Sequence, residues 1–338
     1  MRISSLATIA VLPVLLALAG CEAISTEMAI NHYVAGKLAL ERQAYQEALA
    51  ELAQAIEYDP DLSLAHTVIG DIHRKRGNYP LAAAAYEQAC RINPYAFRPH
   101  YNLGVTYQML AESAATAQAV SDSFHKAVQV YLRAVTLRPE DFDTNMNLSA
   151  CYFQRGKYDL AEQYSKACVN ISPGNSFARS NLGIIYDAQN LPHDAIRAYK
   201  SSLELDTHQP KVLLNLGSTY MRLRRMNEAL NAFEMVARQT PTSPSPWVEM
   251  GACHYHLKDW PSALAAYEKA VAIDGNSAEG HRGVGVVYMT QFVGDQNNTA
   301  LQGKALAAWH RSLDIDSNQP DLLRLVRKYT PGFTGPEL

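Results

Sequence analysis

The chain is 338 residues long, 48% apolar, 19% charged and 9% aromatic, with 30 basic and 33 acidic side chains giving a formal charge of −3. That balance suits a folded body rather than a disordered one and leaves no basic footprint, so nucleic acid is not an expected partner. Five cysteines without a CxxC pair are too few for a disulfide framework or a zinc module.

At the front, Arg2 precedes a mainly apolar stretch from Leu6 to Ala19, interrupted by Thr8 and Pro13. One charge followed by a hydrophobic core this short reads as an export signal over residues 1–20 rather than a membrane span. It ends in Leu18-Ala19-Gly20-Cys21, which resembles a bacterial lipobox. The resemblance implies diacylation of Cys21 and a firm membrane anchor, each buried methylene contributing about 0.8 kcal/mol. Glu22 follows the cysteine, and by the same resemblance the absence of aspartate there implies the outer membrane of a bacterial envelope, facing the periplasm. An ordinary signal peptide with an incidental cysteine is the alternative. Residues 21–28 then form a spacer; drawn out at about 3.3 Å per residue, Glu22 to Met28 reaches roughly 23 Å.

From Ala29 the sequence repeats with a period of 34. Frames open at Ala29, Ser63, Phe97, Phe142, Ser176, Pro210, Pro244 and Ala278; six have 34 residues, the third 45 and the eighth 42. The eighth position is glycine in seven frames and Ser149 in the fourth. A mid-helix glycine costs about 1 kcal/mol relative to alanine, so its recurrence predicts a helix crossing too close for a side chain. The partner position is alanine in every frame, from Ala48 to Ala305, which predicts glycine nested against alanine. Four residues on stands a large side chain, namely Leu52, Tyr86, Tyr131, Tyr199, Phe233, Tyr267 and Trp309, with Ser165 the exception. Proline stops the second helix at Pro60, Pro94, Pro139, Pro173 and Pro241.

Over residues 29–319 this register of small, large and breaker positions resembles the tetratricopeptide repeat family. The resemblance implies an all-α fold of eight helix-turn-helix units stacked into a right-handed superhelical solenoid, with neighbours sharing one core in a single elongated domain. Extra residues in the third and eighth repeats fall between the helices of a pair. Residues 108–126 lack glycine and proline and read as longer helices, whereas Gly294-Asp295-Gln296-Asn297-Asn298-Thr299 within 289–304 reads as a flexible loop. Pro320 opens a short apolar helix through Leu322, Leu323, Leu325, Val326 and Tyr329, so residues 320–338 supply a capping helix and a tail.

By the same resemblance, the first helices of successive repeats line a concave groove. Their sixth position holds Asn102, Asn147, Asn181 and Asn215 in four consecutive repeats. An amide side chain both donates and accepts, so it can pair with a peptide backbone whatever its sequence. The column resembles the asparagine ladder in the repeat superhelix of O-linked N-acetylglucosamine transferases, which holds an extended polypeptide; helix-to-helix packing is the other reading. Arg98, Tyr101, Lys211 and Arg282 share the same helices and suit carboxylate or aromatic groups of a partner.

His32, His66, His100 and His281 recur at the fourth position. Helices packed about 8–10 Å apart cannot bring such a column within roughly 2 Å of one ion, so no metal site is expected. Cys90, Cys151, Cys168 and Cys253 fall near packing positions and read as small buried hydrophobes. Without a Walker loop, a GxSxG elbow or an HExxH run, no catalytic residue and no cofactor is assigned, and the chain reads as a non-enzyme. The sequence thus points to a lipid-anchored envelope scaffold that takes protein or extended-peptide partners in its groove. Lipoproteins of this family commonly assist assembly of pili, secretion systems or outer-membrane complexes, which is what the resemblance implies. A polysaccharide-export scaffold and a regulator of an envelope hydrolase stay open beside it.

Overall fold

The computed structural model describes residues 7–330, with side chains from Ile24 onward. Residues 1–6, the side chain of Cys21 and the tail 331–338 therefore lie outside the described residues. Among the described residues every regular element is a helix, and no helix is long and apolar enough to cross a membrane. The packing divides the array into two compact units, Met1–Pro173 and Gly174–Leu338, where the sequence reads as one elongated domain. The first unit holds α1 (Ala7–Glu41), α2 (Tyr45–Tyr58), α3 (Ser63–Lys75), α4 (Tyr79–Ile92), α5 (Phe97–Glu112), α6 (Ala117–Leu137), α7 (Phe142–Gln154) and α8 (Tyr158–Ile171). The second holds α9 (Ser176–Ala188), α10 (Pro192–Leu205), α11 (Pro210–Arg222), α12 (Met226–Gln239), α13 (Ser245–His256), α14 (Trp260–Ile273), α15 (Ala278–Gly294), α16 (Thr299–Ile315) and α17 (Pro320–Tyr329). Each unit is a stack of helical hairpins, and the fold is an all-α helical-repeat solenoid.

Each hairpin turns on one residue at position fifteen of its frame. Gln43, Gly77, Gly156, Asn190, Arg224 and Lys258 all have φ between 59° and 74°. The next residue's N–H then reaches back five residues, as in Ala44 to Ala39 O at 2.9 Å and Asp259 to His254 O at 3.0 Å. This closes the first helix with a left-handed cap that satisfies its last carbonyls. The third and eighth repeats lack this turn because their extra residues enter there. In the third, α5 and α6 have 16 and 21 residues against 13 and 14 for α3 and α4. In the eighth, the expected loop is mostly helix, since α15 runs to Gly294 and α16 starts at Thr299. Only residues 295–298 turn, held by the Asn297 N–H on Asp295 Oδ1 at 3.3 Å. The asparagine-rich segment thus marks a tight turn between two lengthened helices.

The close contact inside a hairpin differs from glycine on alanine. The repeated alanine is fully buried in all eight frames. It is the large side chain four residues further on, however, that lies over the glycine. A Cβ placed at Gly104, Gly183 or Gly217 would stand 2.5, 2.5 and 2.4 Å from the rings of Tyr131, Tyr199 and Phe233. Glycine is required because a ring edge occupies the volume of a side chain, and the ring then fills the core between hairpins. At the far end α17 buries Leu322, Leu323 and Val326 beside Trp309, and Gln302 Nε2 donates to Tyr329 O at 3.0 Å. The capping helix expected from Pro320 is present.

Candidate functional site

The first helices of the repeats, α1, α3, α5 and α7 in the first unit and α9, α11, α13 and α15 in the second, carry the candidate residues. Their chemistry follows from a problem set by the core. A tyrosine buried behind a glycine must find a partner for its hydroxyl, and the hydroxyl emerges beside the sixth position of the next repeat.

In the first unit the Tyr86 hydroxyl donates to Asp71 Oδ1 at 2.6 Å. Asn102 Nδ2 donates to the same oxygen at 2.9 Å, and Arg98 pairs with Asp71 Oδ2 at 2.5 Å. Three donors on a buried carboxylate offset its desolvation. Asn102 is 7% exposed and Arg98 is 67% exposed at its side chain. Asn102 therefore belongs to the contact between repeats and lies out of reach of a backbone laid along the surface, while Arg98 keeps an open side. One repeat further, the Tyr131 hydroxyl donates to Gln108 Oε1 at 2.5 Å, and Asn147 stands beside the hydroxyls of Tyr101 and Tyr131. Tyr101 is half-buried and stacks on Phe97 at 5.8 Å between ring centroids.

In the second unit the Tyr199 hydroxyl donates to Asp187 Oδ2 at 2.9 Å, with Thr219 Oγ1 at 2.8 Å from the same oxygen and Arg222 paired to the same carboxylate. Asn215 stands beside the Tyr199 hydroxyl. Asn181 is half-buried and also engaged. Burial, reinforced by the neighbouring carboxylates, holds the Tyr86 and Tyr199 phenols well above their ordinary range. Lys211, in the first turn of α11, is exposed. Arg282 on α15 is exposed at its side chain, and its carbonyl accepts the Trp309 indole N–H at 3.3 Å. Asn102 thus joins the Tyr86 hydroxyl's carboxylate to the following repeat, and Asn147 and Asn215 stand beside the Tyr131 and Tyr199 hydroxyls in the same way. Asn147, Asn181 and Asn215 are half-buried rather than closed off.

The histidine column has a structural task of its own. His100 Nε2 sits 3.2 Å from Pro94 O and His281 Nε2 3.1 Å from Gly275 O, and His66 bonds the Pro60 carbonyl. Asn145, at the same position of the fourth repeat, donates to Pro139 O at 2.9 Å. Each ring or amide latches the loop entering its own helix. Among the described residues no group of three or more His, Cys, Asp or Glu converges on a common point. Cys151, Cys168 and Cys253 are buried, and desolvation pushes their thiols up to about 12.

The residues that sequence reasoning missed are Asp71 and Asp187. They stand at positions nine and twelve of their frames, so no period marks them. The available signal was the buried tyrosine itself, whose hydroxyl needed an acceptor.

Sequence descriptions of the TPR repeat match residues 70–110, and those of the tetratricopeptide repeat match residues 140–208, 188–247 and 244–277, together more than half of the chain. No curated protein matches at a significant level. Among solved structures, the C-terminal part of a TPR repeat-containing protein from Cytophaga hutchinsonii is 17% identical with a TM-score of 0.61, covering 75% of this chain and 97% of that one. PilF of Pseudomonas aeruginosa is 19% identical with a TM-score of 0.49, over 64% of this chain and 94% of that one. YrrB, described as a TPR protein with an unusual peptide-binding site, is 16% identical with a TM-score of 0.46, over 59% and 98%. At such identities the likeness is one of fold. With the recurring helical hairpins and the matched repeats, the chain belongs to the tetratricopeptide repeat family.

Proposed function

We propose that this protein is a lipid-anchored, non-catalytic scaffold of a bacterial cell envelope, which gathers protein or extended-peptide partners on the surface formed by its first helices. Tetratricopeptide arrays are protein-interaction scaffolds, and the finer reading starts from that. The observation that carries it is the Leu18-Ala19-Gly20-Cys21 sequence placed after an apolar core and directly before the array. Lipidation at Cys21 would tie the array to the bilayer, and the helix continuing from Cys21 through Glu41 sets the distance. At about 1.5 Å per helical residue, the seven residues from Glu22 to Met28 span only ~10 Å, less than half of an extended spacer. The first repeat is thereby held close to the membrane surface, where partners in assembly of a pilus, a secretion system or an outer-membrane complex are within reach.

The test has two parts. Metabolic labelling with a radioactive fatty acid is expected to mark the chain and to fail in Cys21→Ser; labelling that survives the substitution rejects the anchor. In-cell crosslinking from Arg98, Lys211 or Arg282 is expected to capture an envelope protein in discrete stoichiometry. Exclusive recovery of uncrosslinked chain rejects the scaffold.

A further inference from the structure

The last hairpin of the array is covered by α17, and the first has no such cover. In the second, third and fourth repeats position ten holds Ile72, Thr106 and Cys151, each fully buried where the hairpin before it packs on its helix. Ile72, for example, shares a core with Leu52 and Ala55 of the first hairpin. In the first repeat the same position is Leu38, which is 54% exposed. Position three follows the same rule, with Ala65, Pro99 and Thr144 buried and Asn31 exposed. Val34 and Ile30, one and two turns before Leu38, are about half exposed as well. Side chains four residues apart share one side of a helix. The outer side of α1 is therefore an apolar stripe that includes a position packed on a hairpin in every later repeat of this unit.

Charge decides what fits it. The exposed ionic groups around the stripe are Glu27 before it, Glu41 and Arg42 after it, and Lys37 at its edge. Two acids and two bases cancel, which suits a protein helix better than an anionic lipid surface. A second copy offers no bare hairpin for head-to-tail stacking, because α17 closes its far end. Its own α1 does fit. With the two helices antiparallel and crossing near Val34 and Ala35, Ile30 falls beside Leu38 of the second copy and Val34 beside its counterpart. Glu27 then falls level with Arg42 of the second copy, and symmetry repeats the pair. Fifteen residues apart, Glu27 and Arg42 stand within about 60° of each other around the helix, so both face the partner. Arg42 also pairs with Glu47 at 2.9 Å, but that contact is exposed and leaves the guanidinium open to a second carboxylate.

We infer that two copies of this chain pair through their first hairpins as an isologous dimer, with α1 antiparallel to α1. One helix face per copy is a small interface, below about 1,200 Å² in total, so the dimer is weak and concentration-dependent. It goes beyond the scaffold reading and does not depend on lipidation at Cys21.

Sedimentation equilibrium of the full chain, in a detergent matched in density to the solvent, tests this across the micromolar range. A single monomer-to-dimer step is expected. Leu38→Glu is expected to keep the chain monomeric, and Glu27→Arg to weaken the dimer about tenfold by setting it against Arg42. Adding Arg42→Glu to Glu27→Arg is expected to bring the affinity back to within about threefold of the parent. All three positions are exposed, so helical content by circular dichroism is expected to stay unchanged. A chain that stays monomeric overturns the dimer and leaves the stripe to another protein or to the bilayer. Assemblies larger than a dimer, a dimer that survives Leu38→Glu, or a charge reversal that its counterpart does not rescue overturns it too.

Discussion

Ser149 stands where the other seven repeats have glycine, and Ser165 stands across from it where they have a large side chain. Both are buried, and Ser149 Oγ donates to Ala161 O at 2.8 Å. The two positions change together because they share one volume. A Cβ is excluded elsewhere by a ring edge, and it is admitted here because the ring is absent.

That coupling is open to a double-mutant cycle at Gly217 and Phe233, where a Cβ would stand 2.4 Å from the ring. Gly217→Ala overpacks the contact and is expected to cost about 1–3 kcal/mol, and Phe233→Ala about 3–5 kcal/mol through the cavity it opens. The double variant is expected to fall short of the sum by about 1–3 kcal/mol, because the new methyl sits in the emptied space. Denaturant unfolding of the four proteins measures it, and strict additivity would show that the two residues do not compete.

A second expectation concerns the hairpin turns. Arg224 and Lys258 adopt φ of 60° and 61° with a Cβ in place, whereas Gly77 and Gly156 adopt 74° and 67° without one. Left-handed backbone costs a side-chain-bearing residue about 1–2 kcal/mol. Lys258→Gly should therefore stabilise the fold by up to about 1 kcal/mol, the gain being reduced by the entropy glycine adds to the unfolded chain. Gly77→Ala should destabilise it by a similar amount. A midpoint shift of the same sign in both variants contradicts the assignment of strain to position fifteen.

Asn102 separates packing from binding. On sequence alone, exchanging the four asparagines for alanine is expected to weaken a partner without unfolding the array. The structure alters that for one of them, because Asn102→Ala removes a donor from the buried Asp71 carboxylate. A loss of about 1–3 kcal/mol is expected there, and Asp71→Ala, which strands both Asn102 and the Tyr86 hydroxyl, should cost about 3–5 kcal/mol. Thermal unfolding unchanged in both variants would return Asn102 to the list of groups available to a ligand.

How far the sequence reached is visible in these same residues. The period of 34 exposed the helices, the buried alanines and the cap at Pro320, because each is imposed at a fixed position by packing that every repeat shares. The ring over the glycine was less legible: a period identifies which positions are constrained but not which atoms touch. Asp71 and Asp187 were invisible to it, since two repeats solve one hydroxyl problem from different positions. The turns at Gln43, Arg224 and Lys258 were hidden as well, because tertiary packing imposes the left-handed backbone without glycine. In the eighth repeat a glycine and two asparagines suggested a long loop, yet pairing of two lengthened helices confined the irregularity to residues 295–298.

The histidine latches make the fold less stable as the pH falls. His100 is buried against the Pro94 carbonyl with Arg133 near it, and burial, aided by the Arg133 charge and opposed by that carbonyl, lowers its pKa below 6.5. His66 and His73 are shifted the same way, in each case by burial first. Around pH 6.5 the unfolded chain takes up protons that the folded one does not, so unfolding gains as pH falls. The stability contributed by these rings is complete above the unfolded value of 6.5 and is lost as pH drops from there toward their lower folded values. Position four of the fourth repeat offers a non-titrating substitute, since Asn145 holds the equivalent carbonyl with an amide. His100→Asn is therefore expected to match the parent within about 1 kcal/mol at pH 7.5 and to lose stability less steeply between pH 7 and 5. Melting temperatures of the two proteins across that interval decide it. Parallel curves would mean that His100 does not titrate differently in the folded and unfolded chain.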